Sequence, residues 1–288
     1  MLLLSGEKLK KILLLSLLLL NASFGISEDL SYSYWRAVGK TIFEESQPIM
    51  GINTESIPQI TLLKGQTEPV SFILSNTTND DIHVNSISII GNKYSKNVNY
   101  DFWIVKSWYM GSRTSISVSP QDFLNPKLTP ELLLKDDDLV YIDEGKKKNY
   151  LRISDSDQIQ YLDVSSKVVL MPNNAKVQDS KLLQPFTIKP MHGKQIWLNL
   201  STANNTYAGK LPIQIKVDYR VKGTKKSLLI PLNIDMLPVA LAKNKLNYGI
   251  YYLGRLKVDN RLQSIPKNVT EYRAELSDIY KHGVLYPI

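Results

Sequence analysis

Cysteine is absent from the 288 residues. Disulfides, thiolate zinc sites and cysteine nucleophiles are therefore excluded. Histidine is scarce as well: the three residues His83, His192 and His282 lie far apart in sequence, so neither a histidine-rich metal site nor any other cofactor is expected. There is no Arg-rich helix and no interleaving of aromatic with basic residues. Nucleic acid is thus not an expected partner, despite a net charge of +8. The one dense basic run, "GKKKN" at 145–149, sits beside "KDDD" and "IDEG" and reads as a solvated turn. No apolar run reaches the roughly 20 residues of a membrane span. The N-terminal one, from Ile12 to Gly25, has 14, and no stable span is expected. Without disulfides or metal the fold must be held by core burial, which a 43% hydrophobic chain of this length permits.

What is present begins with a secretory signal over residues 1–25. Lys8, Lys10 and Lys11 form a positive n-region, a leucine run follows, and Ser23 and Gly25 suit the −3 and −1 positions of a cleavage site after Gly25. No cysteine lies there to carry a lipid. Removing Lys8, Lys10, Lys11 and Glu7 lowers the net charge from +8 to +6. The chain is expected to be exported, to the periplasm or beyond.

From Ile57 the apolar pattern has a period of two, the signature of half-buried strands. Val70, Phe72 and Leu74 share a face, as do Ile87 and Ile89. "NVNYDFWIVKSWYM" is an aromatic-rich strand. Residues 111–190 are less regular: loops, one helical turn at "PELLL", short strands, and a strand at "KVVLMP". Alternation then returns. Ile196, Leu198 and Leu200 share a face; Ile213, Ile215, Val217, Tyr219 and Val221 run unbroken; Leu228, Ile230, Leu232 and Ile234 repeat the pattern. Short strands with one apolar face, separated by Gly, Asn and Pro turns, predict a mainly β protein with an antiparallel β-sandwich over 26–245. Pro212 and Pro231, inside strands, predict edge strands or strand starts.

Near Leu246 the pattern changes. "LNYGIYYLGRL" reads as a strand apolar on both sides, and "NVTEYRAELSDIYKHG" as a helix. Asn268 is its N-cap, Glu271 completes a capping box, Gly283 is its stop, and Tyr272, Leu276, Ile279 and Tyr280 form its apolar stripe. "VLYPI" opens a second strand. One strand–helix–strand unit cannot bury itself, and a (β/α)8 barrel takes about 250 residues. Residues 246–288 therefore read as the first repeat of a truncated barrel, with Tyr251, Leu253 and Leu276 left exposed.

These residues carry a likeness to a family. "FWIVKSWYMGS", "LTPELLLKDDDLVYIDEGKKKNYLRI", "PFTIKPMHGKQIWLNLSTANNTYAGKL", "YGIYYLGRL" and "ELSDIYKHGV" together resemble the β-N-acetylgalactosaminidase-like glycoside hydrolases. The match spans roughly residues 57–288 and is most specific over 131–152. The resemblance implies an N-terminal sandwich ahead of a catalytic barrel. It also implies a retaining, substrate-assisted mechanism in which an adjacent Asp–Glu pair acts on the substrate's acetamido group and leaving oxygen. The sequence ends before any such pair, so no catalytic residue is carried over and the chain as given is expected to be inactive. Glu44-Glu45 and Asp143-Glu144 lie on no barrel strand and receive no role.

Substrate-binding candidates remain. Tyr252 and Arg255 end the first barrel strand, where pockets of such barrels lie. Trp103, Trp108, Tyr109 and Trp197 are candidates for a sugar-stacking platform, with core packing expected for Trp103 and exposure for Trp108. Asp136, Asp137 and Asp138 lack the spacing of a calcium loop and read as a solvated loop. Asn76, Asn199, Asn204 and Asn268 begin N-x-S/T sequons. The expected partners are a glycan or a protein that completes the barrel edge. The alternative to a hydrolase-like protein is a standalone exported module that binds carbohydrate or docks a protein.

Overall fold

A computed structural model describes residues 29–35, 59–91, 97–110, 126–155, 158–165, 175–240, 248–252, 254–256, 265–266, 269–281 and 284–287. The chain divides after Ala240 into two compact units. "KVVLMP", Leu253, Asn268 and Gly283 lie outside the described residues.

The first unit is a β-sandwich. Its strands are β1 (Leu30–Trp35), β2 (Gln59–Lys64), β3 (Thr67–Asn76), β4 (Ile82–Ile90), β5 (Val98–Met110), β6 (Lys127–Leu134), β7 (Val140–Asp143), β8 (Lys148–Asp155), β9 (Gln158–Asp163), β10 (Phe186–Ile188), β11 (Gly193–Thr202), β12 (Gly209–Val221) and β13 (Thr224–Ala240). One sheet has the order β1-β3-β11-β5-β6 and the other β10-β4-β12-β13-β2; β7-β8-β9 form a separate meander. The first four strands switch sheet at every connection. The turn from β2 to β3 depends on Gly65, whose φ is +79°; a Cβ there would lie 2.5 Å from Asn204 Oδ1.

The predicted inward faces form the core. Phe72, Leu74, Ile196, Leu198 and Leu200 from one sheet meet Ile215, Val217, Tyr219, Ile230 and Leu232 from the other, all buried. Burying each such side chain stabilises by about 1.5–3 kcal/mol. On β4 the register against β12 slips at Asp218/Tyr219, so that Asp218 pairs with Ser86 and Tyr219 with Val84. Asn85 is the extra residue. This bulge reverses the parity of β4, which is why Ile82 and Val84 face the core on one side of it and Ile87 and Ile89 on the other.

Several expectations are corrected. "PELLL" is not a helical turn. It lies in β6, where Leu134, Leu133 and Leu132 pair with Ile104, Val105 and Lys106, and strand pairing overrides the helical propensity of a leucine run. Pro212 and Pro231 do not mark edge strands, because β12 and β13 are interior. Pro212 lies before the point where pairing of β12 with β4 begins at Gln214, and Pro231 before β13 meets β2 at Asn233. Each proline sits where one neighbour is missing, so no ladder bond is lost. The sheets are not wholly antiparallel either, since β2 runs parallel to β13.

In the second unit β14 (Tyr248–Ile250) pairs in parallel with β17 (Val284–Pro287), and helix α1 (Val269–Lys281) lies between them in sequence. This is the strand–helix–strand order read from the sequence. The single long strand expected over "YGIYYLGRL" is split, however. Gly254–Arg255 forms a separate short strand, β15, parallel to β16 (Ile265–Pro266). Ile250 and Tyr251 are exposed, Tyr251 at 85%, because a two-stranded pair shelters neither face. Leu276, expected to be exposed, is half-buried with Tyr272 and Ile279, while Tyr280 faces solvent.

The turn out of β3 is built on Asn76, which is wholly buried. Its amide nitrogen donates to the carbonyls of Asp80, Ile188 and Lys189 at 2.8, 2.9 and 3.0 Å, and its oxygen accepts from Thr78 N at 2.9 Å. A glycan on this sequon nitrogen is incompatible with those bonds, whereas Asn204 is exposed. Asn76→Ala removes the donor to the buried Ile188 carbonyl and the acceptor of Thr78 N, and is expected to destabilise the sandwich by about 2–3 kcal/mol, read by denaturant unfolding.

Candidate functional site

The meander is fixed to the sandwich by polar groups. Asn149, at the start of "NYLR", is buried and acts as a substitute strand partner for β5. Its Oδ1 accepts from Tyr109 N at 2.8 Å and its Nδ2 donates to Tyr109 O at 2.7 Å. The "KDDD" run supplies the second attachment. Asp136 caps a 3-10 turn over Asp137–Leu139 by accepting from Asp138 N. Its other oxygen takes Arg152 Nη2 from β8 at 2.7 Å. The backbone nitrogens of Lys135 and Asp136 donate to the Asp179 carboxylate at 2.7 and 3.0 Å.

Asp137 points into the end of the sandwich. Lys106 on β5 and Lys194 on β11 extend the core-facing rows of Ile104 and Ile196 by one position. They lie one step beyond the registered pair Gln195–Val105, so they oppose each other across the two strands. Lys106 Nζ donates to Asp137 Oδ1 at 3.0 Å, and Lys194 Nζ to Asp137 Oδ2 at 2.9 Å. The three side chains are 8%, 5% and 14% exposed for Lys106, Lys194 and Asp137. Burial alone would raise the Asp137 carboxyl; the ammoniums of Lys194 and Lys106 overcome that and hold it at about 2, below an ordinary 3.8. The expected solvated loop is thus a buried ionic clasp, and only Asp138 of the three aspartates is exposed.

Beside this clasp is a cavity of about 390 Å³, within the range of small-ligand sites. Its inner wall is Lys106, Lys194, Val84, Val140 and Ile188, all buried; its rim carries Asp81, His83, Asp138, Glu144 and Lys189, all exposed. Two tyrosines complete the mouth. Tyr141 on β7 and Tyr161 on β9 both line it and are 55% and 47% exposed. Register brings them together with Tyr150 on β8, directly opposite Tyr141. The Tyr141 ring centroid is 5.8 Å from that of Tyr150 and 6.3 Å from that of Tyr161. Tyr161 OH donates to Asp138 O at 2.8 Å, which fixes its ring at the rim. This aromatic cluster is the part that sequence reading missed. Its signal was the placement of one tyrosine on each of three strands joined by tight turns.

The sequence candidates lie elsewhere. Trp108, on β5 opposite Thr129, is half-buried rather than exposed, with its Nε1 donating to Glu131 Oε2 at 2.6 Å. Trp103 is not in the core. Phe102 and Ile104 face inward, so Trp103 lies on the outer face, opposite Trp197. Its Nε1 donates to Asp101 Oδ2 at 2.9 Å and Lys135 Nζ sits 3.8 Å over its ring, so the Lys135 ammonium occupies one ring face. Tyr252, in the second unit, donates its hydroxyl to Glu275 Oε2 at 2.5 Å and packs 5.7 Å from Tyr272. Partial burial and the Glu275 carboxylate push its phenol to about 12. Arg255 falls in β15, and its side chain is outside the described residues. Asp143 ends β7, and its Oδ1 accepts from Lys146 N at 2.9 Å in the turn that follows. Among the described residues no three His, Asp or Glu side chains gather as metal ligands, and no helix is long and apolar enough to cross a membrane.

No family model and no curated protein sequence matches the chain. Solved structures resemble parts of the chain at low identity and low structural similarity. A family 123 glycoside hydrolase from Clostridium perfringens is 10% identical with a TM-score of 0.36, over 73% of this chain and 28% of that one. The GAE domain of GGA2p from Saccharomyces cerevisiae is 8% identical with a TM-score of 0.26, over 73% of this chain and 92% of that one. A type I cohesin of ScaB from Pseudobacteroides cellulosolvens is 7% identical with a TM-score of 0.21, over 67% of this chain and 95% of that one. The chain thus spans under a third of the hydrolase.

The clasp yields a prediction. A depressed carboxyl stabilises the fold above its ordinary range, and that contribution is lost as pH falls from about 4 to about 2. Asp137→Asn leaves two buried ammoniums opposed and is expected to cost about 3–5 kcal/mol at neutral pH. The deficit should shrink on acidification over that window, as followed by urea unfolding at a series of pH values.

Proposed function

We propose that this chain is a glycan-binding β-sandwich from an exported, glycoside-hydrolase-like protein, followed by the opening repeat of its barrel. The observation that carries the binding reading is the Tyr141–Tyr150–Tyr161 cluster at the mouth of a polar-rimmed cavity. Tyrosine faces offer apolar area to pyranose C–H groups, and the neighbouring carboxylates, His83 and Lys189 suit hydroxyls. Export is supported by the n-region, the leucine run and the small residues ahead of Ile26. The hydrolase connection is supported by the motifs over 57–288, including "NYLR", whose Asn149 ties the meander to β5.

A glycan array probed with the full chain is expected to give positive spots. Tyr141→Ala and Tyr161→Ala should each weaken binding about tenfold, the equivalent of about 1.4 kcal/mol. Trp108→Ala should leave it unchanged. Loss of binding in Trp108→Ala with retention in both tyrosine variants would move the site to the tryptophans, and an array blank for the native chain would remove the glycan reading.

A further inference from the structure

The tyrosine rings account for the mouth of the cavity and leave its inner wall unexplained. A cavity wall placed against a sandwich core is expected to be apolar, as Val84, Val140 and Ile188 are. Lys106 lies among them, on the same wall. Its ammonium carries three N–H donors, and among the described residues its acceptors are both on Asp137, the carbonyl oxygen at 3.1 Å and Oδ1 at 3.0 Å. A further donor therefore remains on a buried cation that lines a cavity. A buried polar hydrogen without an acceptor is costly, and a ligand oxygen is the remedy a binding site offers.

Resting on the glycan reading above, we propose that the cavity selects glycans bearing an oxyanion, a carboxylate or a sulfate ester, which accepts from Lys106 at the inner wall. The ring that carries the substituent lies against Tyr141 and Tyr161. Lys194, on the same wall, adds a second ammonium beside the first. Asp137 lies between the two cations and is already neutralised by them. The other charged groups that face the cavity are Asp81, Asp138, Glu144 and Lys189. All four are exposed, so their fields are screened over about 8 Å at physiological ionic strength. The field of the buried ammoniums is screened far less.

The test is titration calorimetry on the full chain with three probes: methyl β-D-glucuronide, methyl β-D-glucoside and sodium sulfate. The glucuronide is expected to bind at least about tenfold more tightly than the glucoside, and sulfate should compete with it. Lys106→Met should erase the preference, read as the ratio of the two glycoside affinities within the variant; Lys106→Arg should keep the preference. Equal affinity of the native chain for the two glycosides would overturn the oxyanion site and leave the glycan reading standing. Sulfate binding that depends on Lys106, with neither glycoside bound, would keep the oxyanion site and remove the glycan reading. Binding of none of the three would remove both.

Discussion

Asp137 is one carboxylate held between two strands' ammoniums, and the geometry of the first unit depends on it. Lys106 and Lys194 oppose each other on the inner face of β5 and β11, where like charges would force the strands or the side chains apart. A carboxylate from outside the sheet resolves that conflict only if the 3-10 turn over Asp137–Leu139 stands over the open end of the sandwich. The turn in turn is held by its neighbours. Lys135 reaches back to Asp101 and the Phe102 carbonyl on β5, and Asp136 reaches forward to Arg152 on β8. Four consecutive charged residues thus make contacts in three directions. The meander that carries the tyrosines is placed by these contacts and by Asn149, since its own apolar core, centred on Leu134, Leu139 and Val140, is small.

That dependence explains which parts of the molecule could be read from sequence. Strands β11, β12 and β13 were legible because each buries one face against a single large core, so period-two alternation survives intact. β4 was legible in halves: Ile87 and Ile89 were recognised, but the bulge at Asn85 changes parity without any glycine to mark it. Trp103 was misassigned although the sign was present, since Val98, Tyr100, Phe102 and Ile104 alternate and leave it on the opposite face. "PELLL" was misread because its leucines suit a helix in isolation, and only pairing with β5 makes them a strand. In the second unit the strand, the helix and the returning strand were all visible from the apolar period, but the division of "YGIYYLGRL" was not.

The site was less legible, for a different reason. "KDDD" has the composition of a solvated loop, and composition cannot register partners thirty to sixty residues away. Lys106 and Lys194 reside in strands whose neighbours are apolar, where a lysine is ordinarily taken as a surface residue. Tyr141, Tyr150 and Tyr161 are separated by turns, and their meeting depends on the register of β7 with β8 and of β8 with β9. Register follows from turn geometry rather than from residue type.

A buried ionic clasp is a poor device for stability alone. Removing charges from water costs several kcal/mol for each ion, and apolar replacements of equal volume often do as well or better. An apolar trio at 106, 137 and 194 would also draw the wall inward and close the space beside it, because interiors pack without voids. The charged arrangement has the opposite effect. It fixes the turn by directional bonds at about 3 Å and keeps polar atoms at the boundary of a cavity lined by both sheets and the meander. The stability forgone at the end of the sandwich and the open cavity therefore have one cause, the preference for directional polar contacts over close apolar packing at that position.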